Sequence, residues 1–413
     1  MIRPISVSSF SAPKFWTMCL LFGMVAFMAC KKDPDPVPDA DPADPLTGLT
    51  LPATPFNYSD VELPAHFLTN DFPPGYIFQF AAIESDNTPD DNLTTDHGAT
   101  LGRVLFYEKE LSANGTIACA SCHSQELGFS DDAALSLGFE GGETRRHSMG
   151  LSNARFYQSG KFFWDERAAT LEDQVLMPFQ DEVEMGLTLE QVVQIVEDRS
   201  YSPILFENAF GDEEVTSERV AQALAQFVRS MVSFTSKYDE GRVMVSSPLD
   251  YFPNFTTEEN LGKAIFHSQS LAAPSCNACH LSEAFVAPLL AENATTSGTN
   301  NGLDLESIDD LGIFESTGVN GHRGKFKVPS LRNVALRAPY MHDARFENLE
   351  AVIDHYSTGI QNHTTLQPFL LDDNDLPIQY NFTEVEKSAL IAFLTTLTDD
   401  PFIVDEKFSD PFE

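Results

Sequence analysis

Cys119-Ala120-Ser121-Cys122-His123 and, 157 residues further on, Cys276-Asn277-Ala278-Cys279-His280 decide how this chain is read. Each copy follows a similar leader. Leu101-Gly102-Arg103-Val104-Leu105-Phe106 precedes the first, and Leu261-Gly262-Lys263-Ala264-Ile265-Phe266, offset by 160 residues, precedes the second. Self-similarity on that scale implies two domains of one kind. Ser246-Ser247-Pro248 and Pro253-Asn254 interrupt the pattern between them, which places a boundary near 240–255 and the domains at 61–250 and 251–413.

Two cysteines spaced i, i+3 with histidine directly after are the attachment signal for c-type haem. The sulfurs form thioethers with the porphyrin vinyl groups, and the histidine supplies an axial nitrogen to iron. The cofactor-binding set is then Cys119, Cys122, His123, Cys276, Cys279 and His280, with His123 and His280 as iron ligands. A zinc site pooled from both CxxC pairs, or a redox dithiol, is the alternative. Zinc has no use for a histidine after each pair, and a dithiol explains one motif rather than two. Two covalent haems are expected.

The 413 residues are 42% hydrophobic and 21% charged, which is ample for packed cores. Their 62 acidic and 25 basic side chains give a net charge of −37. So acidic a surface repels phosphate backbones, excludes nucleic acid as a partner and attracts a small basic protein. Residues 1–29 carry Arg3, Lys14 and an apolar run from Phe15 to Ala29, too short to span a bilayer comfortably. Phe27-Met28-Ala29-Cys30 resembles a bacterial lipoprotein signal, with Cys30 as the lipid-bearing first residue; an ordinary secretory signal cut nearby is the alternative. Export to the periplasm or cell envelope follows from either. Residues 30–60, densest in Asp and Pro over 33–45, read as an acidic, extended tether.

Helical signals dominate the remainder. Thr188 with Gln191, Thr256 with Glu259, and Thr383 with Glu386 form capping boxes. Val220, Leu224, Phe227, Val228 and Met231 make one stripe between Ser217 and Phe234. The chain is mostly α, with long loops.

The order CASCH, then Phe163-Trp164-Asp165-Glu166-Arg167, then CNACH, then FKVPSLRNVALRAPYMHD at 326–343 resembles the bacterial di-haem cytochrome c peroxidases and the related MauG branch. The resemblance implies two cytochrome c-like haem domains, the first binding peroxide and the second passing electrons. It makes Trp164 the tryptophan between the haems, Gln174 the distal glutamine, Pro178 its companion and Glu184 the distal acid, at spacings of 10, 14 and 20 residues from Trp164. Glu166 stands where the family has glycine. Hydrogen peroxide as substrate, a cytochrome c or cupredoxin as electron donor, and a calcium ion between the domains are also implied. His147 falls where the family has a calcium-binding asparagine; it is also the sole histidine between the first motif and Trp164, so a distal iron ligand and a surface residue beside Arg145 and Arg146 are the alternatives.

For the sixth ligand of the second haem the peroxidases have a methionine where this chain, like the MauG branch, has Tyr356. Leu349, Val352, Ile353 and Tyr356 recur at helical spacing, so Tyr356 is expected to face inward and His355 away. Met341 is the other candidate. Three functions remain open: a peroxidase, a MauG-like oxidase of a protein or organic substrate, and a di-haem electron carrier without turnover.

Overall fold

The leader glycines show why the chain folds as a repeat. The first leader lies in helix α1 (Asp96–Tyr107), capped by the Thr95 side chain. Helix α2 spans Leu171–Gln180, and α3 (Ser217–Ser230) crosses α1 so closely that a Cβ on Gly102 would overlap the Ala223 carbonyl. In the second half α4 (Thr257–Phe266) crosses α6 (Glu384–Thr395), with α5 (Leu349–Asp354) between them in sequence. There a Cβ on Gly262 would overlap the Ala389 carbonyl. All three expected capping boxes form. Val220, Leu224, Phe227 and Val228 are buried along α3, and Met231 is buried just beyond its end.

This computed structural model describes residues 44–73, 80–270, 273–274, 276–287, 289 and 296–412. The expected signal peptide, Cys30 and the tether as far as residue 43 lie outside them. Residues from Pro45 onward form one compact unit. The extended character expected through residue 60 gives way at its start, because Leu46, Leu49, Leu51 and Phe56 rest on a hydrophobic core that buries Tyr58. Among the described residues the one sheet is the antiparallel pair Gln269–Ser270 and Ala273–Pro274. No helix there is long and apolar enough to cross a membrane.

Two large hydrophobic cores fill the halves. The first collects Phe67, Phe106, Phe129, Phe156, Phe179 and Phe227; the second collects Tyr238, Phe252, Phe266, Phe285 and Phe393. Tyr238, before the boundary expected at 250, packs in the second core. Phe402 and Phe408 return to the first. That return is tied by Arg103 Nε to Ser409 O (2.6 Å), Tyr107 Oη to Phe408 O (2.7 Å) and a bridge between Leu49 and Phe412.

The repeat extends into the loops. Asn153 (φ 63°) and Asn333 (φ 62°) each open a short 3-10 turn. A bridge follows each, Phe162 to Ala168 and Tyr340 to Phe346. Within these brackets Phe163 and Met341, then Glu166 and Ala344, share left-handed backbone. Trp164 and His342 therefore hold matching places.

Candidate functional site

The first motif forms one helical turn, Cys119–Cys122, closed by His123 N donating to Cys119 O (3.0 Å). Its thiols and His123 face a cavity of about 600 Å³, walled by apolar residues that include Phe106, Leu171, Val175, Leu224 and Val228. His123 Nδ1 lies 3.0 Å from Phe129 O. A carbonyl only accepts, so Nδ1 carries the proton and Nε2 keeps its lone pair. Phe129 offers that carbonyl from a left-handed backbone (φ 62°). The second motif, on a cavity of about 570 Å³, repeats the device: His280 Nδ1 is 3.4 Å from Phe285 O, and Phe285 has φ 52°. Burial lowers the pKa of both histidines, His280 to about 4, which leaves them in the neutral, metal-binding form.

No disulfide joins these four cysteines, and burial pushes the thiols of Cys119 and Cys279 up to about 12, Cys122 and Cys276 up to about 11. Thiols so firmly protonated are poor redox centres. The two pairs line separate cavities, so no zinc site pools them. Paired thiols and a neutral imidazole on a roomy apolar cavity fit a covalent haem, twice over.

Glu184, Gln174 and Pro178 all line the first cavity. Gln174 and Pro178 sit one turn apart on α2. Glu184 follows in a turn wound around Asp181: Val183 N and Glu184 N donate to Asp181 Oδ1 (2.8 and 3.2 Å), and Gly186 N to Asp181 O (2.9 Å). Burial raises the Glu184 carboxyl to about 7; the Asp181 charge adds to this and Arg167 opposes it. A carboxyl tuned to that range inside a cavity is what acid–base chemistry near neutral pH requires.

Tyr356 and Met341 both line the second cavity. Asn301 Nδ2 donates to Tyr356 Oη (3.2 Å) and lies 3.7 Å from Met341 Sδ. Burial pushes the Tyr356 phenol above its usual value, and the Asn301 bond opposes that. The expectation that His355 points away is corrected here. Helix α5 runs into a π-helical turn over His355–Gly359, and the loop carrying Asn301 covers the side of the helix that bears His355. Its ring is buried, with Nε2 3.0 Å from Asn301 O. Asn301 is thus held through its backbone by one neighbour and meets the other through its amide. Its position, 55 residues before Tyr356 on a loop, carries no spacing signal.

Trp164 lines both cavities. Its Nε1–H donates to His147 O (2.8 Å), and its carbonyl accepts from Lys327 N (2.8 Å). Its ring meets His342 edge-on at 6.4 Å, and His342 stacks on Phe326 at 3.7 Å. Glu166 pays for its left-handed backbone (φ 52°), which a glycine adopts freely, with bonds from Ser297 N and Oγ (3.1 and 2.8 Å). His147 is not a surface residue: it is 5% exposed and lines the first cavity, with Nδ1 3.1 Å from Ala133 O. Arg146 goes inside with it, paired to Asp165 (2.6 Å) and Asp310 (2.7 Å).

The family model described as di-haem cytochrome c peroxidase matches residues 96–243. The chain is 32% identical to the methylamine utilization protein MauG of Methylorubrum extorquens over 331 residues, 78% of this chain and 84% of that one. It is 27% identical to the cytochrome c551 peroxidase of Nitrosomonas europaea, over 79% and 89% of the two chains. Among solved structures, a MauG-like protein associated with microbial copper homeostasis matches with a TM-score of 0.67 and 31% identity, covering 82% of this chain and 98% of its own. The diheme peroxidase BthA of Burkholderia thailandensis shares the fold, with a TM-score of 0.57 at 20% identity over 78% and 91% of the two chains.

Proposed function

Because this chain belongs to the di-haem cytochrome c peroxidase family that includes MauG, we propose that it reduces hydrogen peroxide to water at the cavity holding His123, Glu184 and Gln174. Electrons come from a small redox protein, a cytochrome c or cupredoxin, by way of the second cavity. Cys119, Cys122 and His123 would hold one haem; Cys276, Cys279 and His280 would hold the other, with Tyr356 or Met341 as its further ligand. Bound in the first cavity, haem would supply an iron able to take up the oxidising equivalents of peroxide.

The chain's own side chains do the rest. The Glu184 carboxylate can take a proton from one peroxide oxygen and hand it to the other, which then departs as water. Gln174 can orient the peroxide through its amide without adding charge. Trp164, which touches both cavities, would relay electrons between them.

The observation that carries this reading is a carboxyl raised to about 7 on the cavity that holds His123. Glu184→Gln is therefore expected to lower peroxide turnover by roughly 10²–10⁴-fold while leaving two haems per chain in a haemochrome assay. Unchanged turnover would overturn the assignment.

A second reading, oxidation of a protein or organic substrate by the same site, draws on Tyr356 in the second cavity and on relatives named MauG. That enzyme would not consume a reduced cytochrome or cupredoxin in step with peroxide, which a stopped-flow assay of donor oxidation distinguishes. Export, with a lipid on Cys30 holding the protein at a membrane face, is also part of the proposal, and the mass of the mature N-terminus checks it.

A further inference from the structure

The family resemblance implies a calcium ion between the haem domains, with a ligand at the place of His147. The seam between the halves holds something else there. Arg337 is 6% exposed, and its Nη2 donates to Ser330 O. Among the described residues its buried Nε–H has no partner, and no carboxylate pairs with the guanidinium. The head abuts the first half at Gly150, where a Cβ would overlap Nη1. Gly150 lines the first cavity, while Pro329 and Leu331, flanking Ser330, line the second. Tyr157 Oη, from the first half, accepts from Ser330 N (3.1 Å) and closes the same seam.

The residues present do not fit calcium. That ion takes about 6–8 oxygen ligands, carboxylates foremost. Here the asparagine place belongs to His147, a nitrogen ligand whose Nδ1–H is turned to the Ala133 and Ala134 carbonyls. Ser330 O is already engaged by Arg337. No three His, Cys, Asp or Glu side chains cluster to hold a metal among the described residues. A buried guanidinium would also repel a divalent ion at close range.

We propose that the guanidinium of Arg337, admitted by the missing side chain at Gly150, is the resident cation between the two haem cavities, and that this protein has no interdomain calcium. Buried away from water, this charge is little screened. A fixed positive charge also favours the reduced state of a nearby redox centre, and Ser330, which holds the Arg337 guanidinium, lies between Pro329 and Leu331 on the wall of the cavity that holds His280.

The test uses the mature di-haem protein and rests on the presence of haem, not on peroxide turnover. Elemental analysis after EGTA treatment should find no calcium, and the thermal midpoint should be the same with EGTA and with millimolar calcium. Arg337→Met should lower the reduction potential of the haem on His280, and Arg337→Lys should restore much of it. Stoichiometric calcium in the wild-type protein, an EGTA-induced fall in midpoint reversed by calcium, or an unmoved potential in Arg337→Met would each overturn the proposal. Should Arg337→Met fail to mature with both haems, the metal content and chelator response of the wild type decide alone.

Discussion

Asp181 acts on Glu184 twice, once through a lone pair and once through its charge. Its Oδ1 gathers the amides that shape the turn, and its negative charge helps to hold the Glu184 proton. Asp181→Asn separates the two, since asparagine keeps the acceptor and loses the charge. The working base is the carboxylate, so turnover should fall as pH drops below about 7, where Glu184 takes up its proton. In Asp181→Asn that acid limb should move to lower pH, and in Glu184→Gln it should vanish; pH profiles of peroxide turnover read both. The resemblance pointed to Glu184 and Gln174 by their distance from Trp164, and both line the cavity that holds His123. For His147 the sequence left a distal ligand and a surface residue open, because Arg145-Arg146-His147 looks solvated and the acids that draw Arg146 inside, Asp165, Asp310 and Glu315, are scattered along the chain.

At the level of helices and turns, local chemistry was the most legible. Capping boxes and the α3 stripe depend on neighbours within a few residues, and they formed where the sequence placed them. The π-helical turn after α5 did not announce itself, because helical periodicity assumes the turn it measures. It leaves Tyr356 and Met341 on one cavity, and a potential separates them. If Tyr356 is the ligand, Tyr356→Met should raise the reduction potential of the second haem, since thioether favours the reduced iron more than phenolate does. No change in Tyr356→Met, with a shift in Met341→Leu, would assign Met341 by spectroelectrochemistry. The helix crossings make a matched pair of predictions. Gly102→Ala and Gly262→Ala each force a methyl into a facing carbonyl and should cost about 1–3 kcal/mol, read as a lower midpoint by calorimetry.

For the molecule as a whole, the net charge of −37 bears on encounter more than on chemistry. Association with a basic donor should slow steeply as salt rises, while peroxide, which is neutral, should react at a rate that salt hardly alters; stopped-flow measurement across ionic strengths separates the two. Twin motifs and leaders made the twofold construction legible, whereas the matching loops at 153–168 and 333–346 share backbone shape with little side-chain identity and stayed hidden. The return of Phe402 and Phe408 was equally invisible, because contacts across some 300 residues leave no periodic trace. It has a consequence for how the molecule is made. The half that emerges first from the ribosome lacks Phe402 and Phe408 until the last stretch arrives, so the core against which Cys119 packs is completed only after both CxxCH motifs have been made.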